Sequence, residues 1–87
     1  MRREPDFLGD EDGKLLYIAK KLREAKALED LLTATGVDYV VEVDQYLGGF
    51  LFRTMRAGAF FYVRTESEAA AREILAQHGY RAFEPPA

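Results

Sequence analysis

Side chains able to do covalent or metal chemistry are scarce in this sequence. Cysteine is absent, which excludes a disulfide scaffold, a thiol nucleophile and a thiolate metal site together. One histidine is present, His78, and it falls where a helix is expected to end. There an imidazole favours the helix dipole or packs its ring, and no second histidine exists to build a triad or a tetrahedral metal site. Glu42 and Asp44 stand two residues apart on one strand face, a spacing able to share a cation and equally expected of a polar outer face. No Walker loop, dinucleotide fingerprint or other glycine-rich phosphate cradle occurs. The chain therefore presents no catalytic residue set, no metal site and no cofactor motif, and it leans away from enzymatic activity.

Recognition chemistry has a better candidate. The stretch Asp44-Gln45-Tyr46-Leu47-Gly48-Gly49-Phe50-Leu51-Phe52-Arg53-Thr54-Met55-Arg56-Ala57-Gly58 is far longer than a tight hairpin connection. Arg53 and Arg56 lie three positions apart, inside the longest run of the chain without a carboxylate, between Asp44 and Glu66. A guanidinium fork grips a carboxylate or phosphate through two parallel hydrogen bonds. Gly48, Gly49 and Gly58 give the backbone freedom to turn or to let a ligand approach closely. Tyr46, Gly48, Gly49, Arg53 and Arg56 are accordingly the candidate ligand- or partner-binding residues. Phe50, Phe52 and Thr54 alternate with Leu51, Arg53 and Met55, so part of the segment is expected to pair as an added strand or a protruding β-ribbon. An arginine there has a plainer use, keeping a sheet edge soluble or pairing with Glu42 or Asp44 across a subunit interface.

The elements that must position this loop belong to one small domain. Eighty-seven residues, 48% hydrophobic and 31% charged, make one globular unit with a thin core. Lys14-Leu15-Leu16-Tyr17-Ile18-Ala19 is apolar on both faces, as in a strand buried in the middle of a sheet. Residues 20–35 place Ala25, Leu28, Leu31, Leu32 and Thr35 on one helical face, and Gly36 ends the helix. Val37, Tyr39, Val41 and Val43 alternate with Asp38, Val40, Glu42 and Asp44 as a half-buried strand. Ala59 to Arg64 reads as another strand, with Phe60 and Tyr62 on one face and Phe61 and Val63 on the other. Thr65-Glu66-Ser67-Glu68 has the form of a capping box opening a helix over 66–78, whose inner face is Ala71, Ile74, Leu75 and His78. Gly79 ends that helix, and Tyr80 to Glu84 reads as a last strand before Pro85-Pro86.

The two halves match at an offset of 43 residues: Leu31-Leu32 with Ile74-Leu75, Gly36 with Gly79, Val37 with Tyr80. The order of elements leads to the same architecture, an α+β ferredoxin-like βαββαβ sandwich, with an antiparallel sheet and two helices on one face. Helices cover only one side of such a sheet, yet several strands here are apolar on both. A second copy of the chain is the commonest cover, so a homodimer is expected, with Phe60 and Tyr62 as candidate dimer-face residues. Residues 1–13 hold the whole net charge of −3, because residues 14–87 balance. With Pro5, Gly9 and Gly13 and no periodicity, they read as an acidic flexible tail ahead of the domain at 14–87. Phe7 and Leu8 are the exception, an apolar pair able to dock.

The strand Leu15–Ala19, the helix around Glu24-Ala25 with Leu31-Leu32 before Gly36-Val37, and Tyr62-Val63 before an alanine-rich helix ending in Ile74-Leu75 resemble a known group. These are the small bacterial signal-transducing proteins, largely of unknown function, in the P-II-like set of ferredoxin-like folds. The resemblance spans roughly Lys14 to Phe83. It implies the fold and a loop placed like the regulatory loop of P-II proteins, and it brings no catalytic or nucleotide-binding residues. The expected function is thus a small non-catalytic regulatory module in signal transduction, binding a protein partner or a small anionic ligand. One alternative is a dimeric α/β-barrel-type enzyme acting on an apolar substrate, which a pocket lined by Tyr17, Tyr39 or His78 would favour. Another is an RNA-binding module, since Arg56 to Val63 has a likeness to the basic-Gly-aromatic strand of RNA-recognition domains. Its aromatics are out of register after Gly58, and the neutral body lacks the basic surface that nucleic acid requires. No apolar run approaches a membrane span and no signal-peptide segment follows Arg2 and Arg3, so a cytoplasmic address is expected.

Overall fold

The Leu15-Leu16-Tyr17-Ile18 run forms a strand that is bent by a bulge. A computed structural model of the chain describes residues 1–8, 13–48 and 54–83, with the backbone alone at Pro5, 44–48 and 54–57. Its elements are β1 (Arg2–Arg3), a 3-10 turn (Pro5–Leu8), β2 (Lys14–Ala19), α1 (Leu22–Ala34), β3 (Tyr39–Gly48), β4 (Thr54–Val63), a second 3-10 turn (Thr65–Ser67) and α2 (Glu68–Gln77). The sheet order is β1-β3-β4-β2. β2, β3 and β4 are antiparallel neighbours, whereas β1 joins β3 in parallel through Arg2↔Tyr39 and Arg3↔Val40. The chain thus has an α+β ferredoxin-like fold, its antiparallel sheet made mixed by one added strand.

Both helices lie on one face. Ala25, Leu28 and Leu32 of α1 and Ala71 and Leu75 of α2 share a single buried cluster with Leu16, Ala19, Tyr39, Phe61 and Val63. The bulge between Leu15 and Tyr17 brings Leu16 and Tyr17 to this same side, Leu16 into the cluster and Tyr17 packed against it. It also explains why a strand at the edge of the sheet reads as apolar throughout; the expectation of a central strand is corrected. Thr35 and His78, expected on the inner faces, are exposed just past the helix ends.

Each helix closes in the same way. Val37 N–H donates to Leu32 O at 2.9 Å and Gly36 N–H to Thr33 O at 3.2 Å. Forty-three residues on, Tyr80 donates to Leu75 at 2.9 Å and Gly79 to Ala76 at 3.3 Å. Gly36 and Gly79 take φ of 79° and 82°, the left-handed conformation this paired-bond ending needs. The internal repeat therefore extends from residue types to hydrogen bonds.

Two local expectations fail. No side-chain cap opens α2; Thr65–Ser67 instead makes a 3-10 turn, with Ser67 N–H donating to Arg64 O at 2.9 Å and Glu68 N–H to Thr65 O. The Glu68 bond satisfies the donor that the Thr65 hydroxyl of a capping box would have served. Tyr80–Phe83 is not a strand, and Glu84 lies outside the described residues. The segment runs beside β2, tied by one ladder-like bond from Phe83 N–H to Leu16 O at 2.8 Å.

Residues 1–8, read from sequence as part of a flexible tail, lie against the sheet. Val40 pairs with Tyr62, on the face opposite Phe61, and is fully buried at 0% exposure without belonging to the helix-side cluster. Its cover is the N-terminal segment: the 3-10 turn packs on β3, and Leu8 lies so close to Gly13 and Tyr62 that a Cβ on Gly13 would stand 2.8 Å from Leu8 Cδ1 and 3.1 Å from Tyr62 Cβ. Arg64 fastens the turn, donating from Nε to Phe7 O at 3.0 Å with its guanidinium 4.3 Å from the centre of the Phe7 ring.

Candidate functional site

The long connection proposed from sequence is the outer part of a hairpin. β3 and β4 pair without interruption from Val40↔Tyr62 to Gly48↔Thr54, whereas β2 covers β4 only between Ala59 and Val63. Beyond Ala59 the pairs Asp44↔Gly58 through Gly48↔Thr54 continue as a two-stranded arm. At about 3.4 Å per residue it reaches roughly 17 Å past the body. The expected ribbon thus exists for residues 54–58, and Thr54 to Arg56 are strand. Gly49, Arg53 and Phe50 to Phe52 lie outside the described residues.

Register places the remaining candidates. Tyr46 is directly opposite Arg56, and Gly48 opposite Thr54. Asp44 opposes Gly58, one two-residue step along the arm from the Tyr46↔Arg56 pair. Arg56 is therefore remote from any carboxylate in sequence, yet the hairpin register sets it one step from Asp44. Next along the same series comes Glu42, exposed, opposite Phe60. Phe60 and Tyr62, the dimer-face candidates, are half-buried; part of the cover on their face is the chain's own N-terminal segment.

At the root of the arm, on the helix side, Ala19, Leu22, Ala25, Val43, Gly58 and Ala59 line a shallow, mainly apolar hollow of about 260 Å³, with Lys20 and Lys21 at its border. Leu22 is 88% exposed and Val43 76%, so two large apolar side chains face solvent where the arm leaves the body. Along the arm itself β3 has no neighbour on its outer side beyond Val40, nor β4 beyond Ala59, among the described residues. Both edges accordingly present backbone donors and acceptors.

Tyr17, Tyr39 and His78, any of which could have marked an enzyme pocket, have different surroundings, and His78 is exposed just past the end of α2. Tyr39 is buried in the core, its hydroxyl 3.4 Å from Thr33 Oγ1 and 3.3 Å from Glu29 Oε1. Burial pushes its hydroxyl up from the ordinary tyrosine range, with Thr33 pulling the other way. Tyr17 lines a separate cleft of about 500 Å³ with Ile18, Lys20, Lys21, Glu24, Arg81 and Phe83. Burial, then the charge and hydrogen bond of Glu24, raise the Tyr17 pKa. The sequence does not announce this cleft, because its residues come from two distant stretches, 17–24 and 81–83, and form no motif. The pair Lys20-Lys21 ahead of α1 was the only local signal. Among the described residues no group of three or more potential metal ligands gathers, and no helix is long and apolar enough to cross a membrane.

No family model, no curated protein and no solved structure matches the chain.

Proposed function

We propose that this protein is a small regulatory module, without catalytic activity, that acts as a homodimer and engages a protein partner through the β3–β4 arm. The observation that carries the reading is the arm itself, a paired ribbon leaving the body with both edges open among the described residues. An extended segment of another chain adds to such an edge by main-chain hydrogen bonding, while side chains on alternate positions select it. Exposed Leu22 and Val43 at the arm's root give that partner an apolar anchor. The resemblance to P-II-like signal-transducing proteins of the cytoplasm, whose regulatory loop is similarly placed, points the same way. In this reading Tyr46, Gly48, Gly49, Arg53 and Arg56 form the working surface, and Phe60 with Tyr62 contribute to the contact between copies.

The test is direct. Light scattering at micromolar concentration should give a dimer mass, and Phe60→Asp should yield monomer with an unchanged circular dichroism spectrum. Arg53→Ala with Arg56→Ala should abolish capture of the partner from lysate while leaving the dimer intact. A monomeric mass overturns the homodimer, and equal capture by the double variant overturns the site.

A further inference from the structure

We propose that the cleft between β2, the start of α1 and the closing segment Tyr80–Phe83 binds a small organic anion that carries a flat apolar group. Three cations, Lys20, Lys21 and Arg81, line it together with one carboxylate, Glu24. None of the three is ion-paired among the described residues, whereas Arg2, Arg3, Lys26 and Arg64 each meet an acid within 3.6 Å. In a body whose charges balance, three cations against the single carboxylate of Glu24 are a local excess of positive charge. A concave wall concentrates its field on whatever enters.

The apolar part has its own surface. Tyr17 and Phe83 line the cleft with Ile18, and the volume of about 500 Å³ suits a ligand of metabolite size. The wall is also fixed in advance. Phe83 is held through both of its backbone groups, its N–H donating to Leu16 O at 2.8 Å and its O accepting from Arg72 Nη1 at 2.7 Å. The Tyr80 ring meets Tyr17 edge-on, with centroids 5.6 Å apart and planes at 89°. Arg81 therefore projects from a backbone held on either side, so binding need order only its side chain. Its guanidinium can grip two oxygens of one anion, and the lysines supply point charges. Glu24, the one carboxylate in the lining, opposes an anion and offsets part of the attraction. Lys20 and Lys21 also border the hollow at the arm's root, whereas Arg81, Tyr17 and Phe83 do not, so Arg81→Ala alone separates the two proposals.

The experiment is a titration of the full chain followed by amide nitrogen–proton correlation spectra, with potassium chloride holding ionic strength constant. The probes are phenyl phosphate, phenylacetate and inorganic phosphate. Shifts should gather at Tyr17–Glu24 and Arg81–Phe83, and both phenyl compounds should bind more tightly than their counterparts without a ring, acetate serving for the carboxylate. Whichever phenyl compound binds better assigns the ligand to phosphate esters or to carboxylates. Lys21→Ala with Arg81→Ala, both exposed positions, should weaken binding about tenfold or more, the scale of one charge-assisted hydrogen bond. Glu24→Gln should tighten it, a change of opposite sign that loss of structure would not produce. Shifts matched by potassium chloride alone, shifts scattered over the surface, or unchanged binding by the double variant would overturn the proposal.

Discussion

Tyr39 joins chemistry and stability at a single position. Its ring is buried against Phe61, with centroids 5.8 Å apart, and its hydroxyl reaches Thr33 and Glu29. Desolvation holds the phenol proton above the ordinary value of about 10, and the charge of Glu29 adds to this. The folded state therefore keeps a proton that the unfolded state releases first. This contribution is fully present below the ordinary value and is lost as pH rises from there through the raised folded value. Urea unfolding at intervals from neutral pH to above 10 should show that decline. Tyr39→Phe should flatten part of it and leave the share due to Tyr17, whose pKa is raised as well. At neutral pH the same change should cost about 0.5–1.5 kcal/mol, the worth of an ordinary hydrogen bond. An alkaline decline identical in variant and parent would refute the assignment.

The two helix endings set a matched test at the level of elements. Gly36 and Gly79 have positive φ and open space where a side chain would go. Alanine at either position meets no neighbour, and its cost is backbone strain alone, about 1–2 kcal/mol. Equal losses in thermal denaturation from Gly36→Ala and Gly79→Ala are expected, with a smaller loss for asparagine at either site. Markedly unequal losses would mean that the repeat is one of form without equivalence of energy. These helices and β2 were legible from sequence because apolar spacing and a terminal glycine both mark them. The arm's inner end is less so: Ala57-Gly58-Ala59 offers no alternation, so the pattern predicts a strand from Ala59, whereas cross-strand backbone pairing carries it back to Thr54. β1 was invisible, since Arg2-Arg3 joins the sheet through its backbone and exposes both side chains.

Across the whole molecule, the sheet is covered from two sides by different means, helices on one and the chain's own N-terminal segment on part of the other. Arg64 is the link, and it is the last residue before the turn into α2. Arg64→Ala should lower the melting temperature and, with Val40 uncovered, raise binding of a hydrophobic dye; retention of both parent values would show that Leu8 holds the segment unaided. The dimer expectation rested on an apolar second face, and that face is smaller than the sequence implied, because Phe7 and Leu8 supplied the signal for an internal cover. The basic cleft was illegible for a plainer reason: only folding brings Lys20, Lys21 and Arg81 to one wall. One more property follows from the edge-on pair of Tyr17 and Tyr80 beside that wall. With five tyrosines and no tryptophan, the ultraviolet emission of the protein is tyrosine light alone. An anion in the cleft should change the brightness of Tyr17, and a partner on the arm that of Tyr46. Tyr17→Phe would darken the first reporter and spare the second, so the two events can be followed separately in unlabelled protein.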